Sequence, residues 1–157
     1  MKLPSSLLLA LATALVTGPA AAVDMTPMAE PEAAAPIDKL AAARRHIQAQ
    51  RWPDALAELK RANDNGNADW NNLMGYAQRK QAKPDLDAAQ KHYDAALRIN
   101  PQHQGALEYA GELALMKKDL ATAEAHLATL SRLCKSPCEP LDDLKKAVAA
   151  YKAANKS

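Results

Sequence analysis

From residue 37 onward, small and apolar residues recur at helical spacing, and the whole register returns 34 positions later. Ala55, Ala89 and Ala123 share one column, and Trp52, Leu86 and Leu120 share a second. Leu59, Tyr93 and Leu127 form a third column, and Ala62, Ala96 and Leu130 a fourth. A unit of this length, with Ala where two helices must touch and a bulky residue a turn away, is the signature of a helix-turn-helix solenoid. The period predicts an all-α chain of about three helix pairs.

Individual elements follow from the same pattern. Ile37, Leu40, Ala41, Ala43 and Ile47 predict a first helix that stops near Gln50. Pro53 is accommodated in the first turn of the next helix, which runs to Ala62, and the run Asn63-Asp64-Asn65-Gly66-Asn67 ends it. Asp69 is the predicted N-cap of a third helix through Trp70, Leu73, Met74 and Ala77. A fourth helix spans Asp85 to Ile99, and the third pair covers Gln104 to Met116 and Leu120 to Leu133. Gly75 and Gly111 are 36 apart, not 34, so two extra residues fall in the Gln81–Pro84 loop. A last helix from Leu141 to Ala154 carries Leu144, Val148 and Tyr151 on one face and charges elsewhere, as a terminal cap should.

These residues resemble the tetratricopeptide repeat family. The middle unit supplies Met74-Gly75, Leu86, Ala89, Tyr93, Ala96 and Pro101; the third supplies Leu107, Ala110-Gly111, Leu120, Ala123 and Leu127. The first has Ala43 in the glycine column, with Trp52, Ala55, Leu59 and Ala62, and lacks the closing Pro. The resemblance implies three repeats at about 37–68, 69–102 and 103–136 plus the capping helix. It also implies that the first helices of the repeats line a concave groove for a protein or peptide. The groove residues would be Leu40, Arg44 and Ile47; Asn72, Tyr76, Arg79 and Lys80; and Glu108, Glu112, Leu115 and Met116. Of the Lys/Asn/Arg clamp that some members use for a terminal carboxylate, only Asn72 fits, and Glu108 and Glu112 would repel that ligand. A groove basic in two units and acidic in the third suits a segment of mixed charge. Self-association through the edges of the solenoid is a further expectation.

The first 22 residues read as a cleavable secretory signal, with Lys2, an apolar run from Leu7 to Val16 and the small residues Ala20-Ala21-Ala22. The expected location is periplasmic, without stable membrane insertion after cleavage. Residues 23–36 contain three prolines and no helical period, which predicts a flexible linker. Of 20 Lys and Arg, only Lys2 lies in the signal, so 19 basic face 18 acidic side chains in the rest. That near-neutral balance does not suit nucleic acid or an anionic membrane.

Cys134 and Cys138 are the only cysteines. In an oxidising compartment they favour a disulfide, holding the capping helix near Leu130 and Leu133. A soft-metal site and a thiol-redox role remain open alternatives, and with them a small metal-handling or redox function. Neither a Cys-x-x-Cys pattern nor further ligands nearby supports them. His46, His92, His103 and His126 read as surface residues. His92 and His126 sit on equivalent faces of adjacent units, too far apart for one metal ion. Asp142-Asp143 begins a helix, where negative charge is favoured, and no nucleophile elbow or phosphate loop occurs. The chain is expected to be an adaptor in a cell-envelope assembly, with no catalytic residues, metal or cofactor.

Overall fold

A computed structural model describes residues 38–135 and 137–155. The predicted signal and linker, 1–22 and 23–36, lie outside the described residues, as does Ile37. Within them seven helices follow in order: α1 (Ala41–Gln48), α2 (Trp52–Ala62), α3 (Ala68–Lys80), α4 (Leu86–Ile99), α5 (Gln104–Met116), α6 (Leu120–Leu133) and α7 (Glu139–Ala154). Helices α1/α2, α3/α4 and α5/α6 pack as hairpins, and each α3 and α5 also packs on the hairpin before it. Helix α7 lies against α5 and α6, in the place of the first helix of a fourth hairpin. One layer is therefore α1, α3, α5 and α7, and the other α2, α4 and α6.

The Ala columns mark the helix contacts. Ala55, Ala89 and Ala123 are fully buried, as is Ala96 in the fourth column. Tyr93, Leu59, Leu113, Leu130 and Leu144 fill the space these small residues leave. Gly75 and Gly111 mark the closest approaches. A Cβ on Gly75 would lie 2.6 Å from the Tyr93 ring of α4, and one on Gly111 would lie 2.6 Å from Leu144 of α7.

Several boundaries differ from the periodicity. Helix α1 begins at Ala41 because Asp38 turns the chain: its carboxylate accepts from the Leu40 N–H and pairs with Arg44. The α3 cap is Asn67, whose side chain accepts from the Trp70 N–H at 3.2 Å. Asp69 instead lies in the first turn and reaches Arg44 and His103. Helix α7 starts two residues before Leu141, with Pro140 in the first turn. Asp85 and Asp119 cap α4 and α6 through the Ala88 and Thr122 N–H groups.

The tight turns inside the first and third hairpins are the same structure. Gln50 and Lys118 each take a left-handed conformation, at φ 55° and 64°. The residue after each donates its N–H to a carbonyl five positions back, Arg51 to His46 and Asp119 to Ala114, both at 2.8 Å. This satisfies helix-end carbonyls without glycine. The longer middle loop closes differently, with the Asp85 N–H donating to the Gln78 carbonyl.

Candidate functional site

The expected groove residues separate into three groups. Leu40 is 3% exposed and belongs to the core of α1, α2 and α3, and Ile47 packs against that core. Neither borders the face between α3, α5 and α7, because the first helix turns these apolar side chains onto its own hairpin partner. Arg44 stands apart as well, spanning Asp38 and Asp69. The remaining eight residues, Asn72 through Met116, all border two adjoining pockets between α3, α5 and α7.

The first pocket, about 380 Å³, sits over the amino-terminal half of α5. Asn72, Tyr76 and Lys80 of α3 form one wall, Glu108, Tyr109 and Glu112 the floor, and Glu139 and Asp143 of α7 the other wall. The second pocket, about 480 Å³, lies over the carboxy-terminal end of α5. It is lined by Leu115 and Met116 together with Ala147 and Tyr151 of α7, and shares Lys80 and Glu112 with the first.

The expected division into basic and acidic units does not hold at the centre of this face. Arg79 is buried and forms an ion pair with Glu112, one helix across. Its guanidinium also lies 5.7 Å and 5.6 Å from the ring centres of Tyr76 and Tyr109. The two tyrosines stack with centroids 4.5 Å apart, and Trp52 meets Tyr76 edge-on. A row of aromatic rings thus carries a buried cation that is already neutralised by its acidic neighbour. Arg79 and Glu112 build the floor between the pockets rather than offering free charge.

Glu108 is 7% exposed. Burial, together with the negative charge of Glu112, Asp143 and Glu139, raises its carboxyl to about 8, against the opposing pull of Arg79. Burial also raises the Tyr109 hydroxyl, with Glu108 adding to the effect. Asn72 is equally buried, and its side-chain oxygen meets no hydrogen-bond donor among the described residues.

Sequence reasoning missed Tyr109, Glu139, Asp143, Ala147 and Tyr151 as members of this face. Tyr109 occupies the column of Leu73, which reads as packing. Helix α7 reads as a cap, and only its placement beside α5 brings Glu139 and Asp143 to the pocket.

The histidines depart from a uniform surface reading. His103 caps α5, with its Nδ1 accepting from the Ala106 N–H at 3.0 Å, while its other nitrogen faces Asp69 at 2.9 Å. His92 meets the edge of Trp70 and the Asn71 side chain. Burial lowers the pKa of His92 and of His126. Cys134 and Cys138 have Cα atoms 5.9 Å apart, within the span of a disulfide, and Cys134 packs against the α5/α6/α7 core.

The helical repeat fold is shared with known structures. One is the Yersinia enterocolitica type III secretion translocator chaperone SycD, with a TM-score of 0.64 at 18% identity, covering 76% of this chain and 84% of that one. An alternative dimer of the same chaperone gives 0.63 at 18%, covering 76% and 92%. SycD in complex with a peptide of the translocator YopD gives 0.59 at 19%, covering 74% and 88%. This chain has a tetratricopeptide-type helical repeat fold. No family model and no curated protein matches its sequence. The repeat fold here is thus visible in helix packing far more than in residue identity, and its neighbours are named as chaperones, not enzymes. Among the described residues of the repeat fold, no helix is long and apolar enough to cross a membrane.

Proposed function

We propose that this protein is an exported, non-catalytic adaptor that holds a segment of another protein along the α3/α5/α7 face. The observation that carries this reading is the pair of adjoining pockets over α5, within a fold whose solved neighbour SycD is in complex with a translocator peptide. Export to the periplasm rests on the amino-terminal signal pattern, and a role within an envelope assembly follows from that location. An extended segment laid along α5 would meet apolar, acidic and basic side chains in turn.

Photo-crosslinking tests the face directly. A photoreactive residue at Met116 or Lys80, both exposed, is expected to capture one and the same protein from an envelope extract. The same residue at Lys91, exposed on α4, is expected to capture none. Equal capture at all three sites, or none at any, overturns the reading.

The proposed export also implies that Cys134 and Cys138 are joined, tying the end of α6 to the start of α7. The bridge closes a short loop, so its loss is expected to cost about 2 kcal/mol or less. A Cys134→Ser/Cys138→Ser variant should retain its helical circular dichroism while amide exchange quickens first in α7. Two titratable thiols in protein purified from the periplasm would refute the bridge.

A further inference from the structure

The cup over the amino-terminal half of α5 has a composition that the general groove reading does not explain. Its α7 wall carries two exposed acids, Glu139 and Asp143, with no ion-pair partner among the described residues. Its floor carries a third acid, the buried Glu108. Arg79 does not neutralise this set, because it is committed to Glu112. Lys80 stands at the rim, 5.7 Å from the centre of the Tyr76 ring, and is the one cation facing the cup among the described residues.

A second observation is independent of charge. The Asn72 side chain lines the same cup, is only 7% exposed, and has an oxygen without a donor among the described residues. An orphaned buried acceptor is costly, and a donor reaching it from the cup would remove that cost. Carboxylates, a tyrosine face and an unpaired amide oxygen together ask for a ligand that is cationic, rich in N–H donors and slender. The adjoining pocket, floored by Leu115 and Met116, asks for an apolar group.

We infer that the cup receives a lysine or arginine side chain of the bound segment, while the adjoining pocket receives an apolar side chain of the same segment. This rests on the adaptor reading above and specifies its ligand. Glu108 and Leu115 are seven residues apart on α5, about 10 Å at the helical rise. An extended segment covers that distance in about three residues. The preferred segment therefore has a basic residue and an apolar residue separated by two others. Glu139 and Asp143 meet the incoming charge, Asn72 accepts from it, and Tyr76 and Tyr109 supply the aromatic wall.

The probes are two fluorescent, end-blocked heptapeptides in a Ser/Gly background, one with Lys-x-x-Leu and the other with norleucine in place of Lys. Anisotropy with the full chain is expected to give at least fivefold tighter binding of the Lys peptide at low salt. Glu139→Gln/Asp143→Asn should remove that preference while leaving the circular dichroism unchanged. Nα-acetyl-lysine amide, titrated against labelled protein, should shift the side-chain amide signal of Asn72, whereas the norleucine analogue should not. Equal affinity of the two peptides, or a preference that survives the double variant, overturns the cup assignment. If Met116 crosslinking still captures a partner in that case, the adaptor reading stands and only the cationic ligand fails.

Discussion

Gly75→Ala should destabilise the fold by about 2 kcal/mol, although alanine is the better helix former. In an exposed helix interior this exchange would gain about 1 kcal/mol. Here the new Cβ would lie 2.6 Å and 2.8 Å from two carbons of the Tyr93 ring. Tyr93 is fully buried beside Tyr109, so the ring cannot swing aside, and α3 and α4 must separate. Overpacking of this kind costs about 1–3 kcal/mol, and the upper end applies to a rigid ring. Gly111→Ala meets the tips of Leu144, a more adaptable side chain, and should cost less. Its effect should concentrate on α7, which Leu144 anchors to α5. Urea unfolding followed by circular dichroism measures both, and amide exchange locates the second. Tyr93→Leu introduced into Gly75→Ala should recover part of the loss, giving a coupling of about 1 kcal/mol or more. A neutral Gly75→Ala would mean that α3 and α4 are not in the contact described here.

The second large effect is on the pH dependence of stability. Glu108 keeps its proton in the folded protein up to about 8, whereas the ordinary carboxyl loses it near 4.5. The folded state therefore binds more protons between these values, and stability must fall as pH rises through that window. The contribution is fully present below about 4.5 and is lost above about 8. Direct conversion at about 1.4 kcal/mol per pH unit sets a ceiling of roughly 5 kcal/mol. Water reaching the open cup reduces the expected size to about 2 kcal/mol.

The groups facing Glu108 set the sign. From α5 there is Glu112, from α7 Glu139 and Asp143, and from α3 Arg79; all but the last disfavour the charge. Glu108→Gln makes the neutral form permanent. It should match the parent protein near pH 5 and exceed it by about 2 kcal/mol at pH 9. His92 and His126 act in the opposite direction, since burial lowers both, so their contributions fade as pH drops through the ordinary histidine value. Comparing the variant with its parent at each pH cancels that part. Parallel stability profiles for the two proteins would refute a buried, protonated Glu108. A cation seated beside Glu108 favours the ionised carboxylate, so binding of the Lys peptide should tighten as pH rises from 6 to 9.

Most of the repeat architecture was legible because helix contact leaves a local trace. A helix pair that must approach closely needs Ala or Gly at a fixed place in each repeat, and Ala55, Ala89, Ala123, Gly75 and Gly111 show it directly. The inner-face positions from Asn72 to Met116 followed from the same register. Leu40 and Ile47 did not, because a two-helix unit at the start of the array has no preceding hairpin, and their side chains turn inward to make its core. Caps were poorly legible: the pattern predicts Asp69 as the cap of α3, but the helix starts at Ala68 and Asn67 caps it. It puts Asp85 inside α4 and Asp119 in a turn, though both cap. Histidine carries no capping signal of its own, so His103 gave none either. Nor did Gln50 and Lys118 announce left-handed turns, a conformation that composition assigns to glycine or asparagine.

What the sequence determined by itself is the all-α class, the 34-residue unit and the helix faces, since these rest on backbone periodicity and the size of side chains at contacts. Only the tertiary structure decided which charges are free. Arg79 and Glu112, 33 residues apart, cancel each other, while Asp143, read as the solvated start of a cap, and Glu139, which lies before the expected start of that helix, become one wall of a cup. Charge pairing depends on through-space distance and burial, and neither is written in the spacing of residues along one helix.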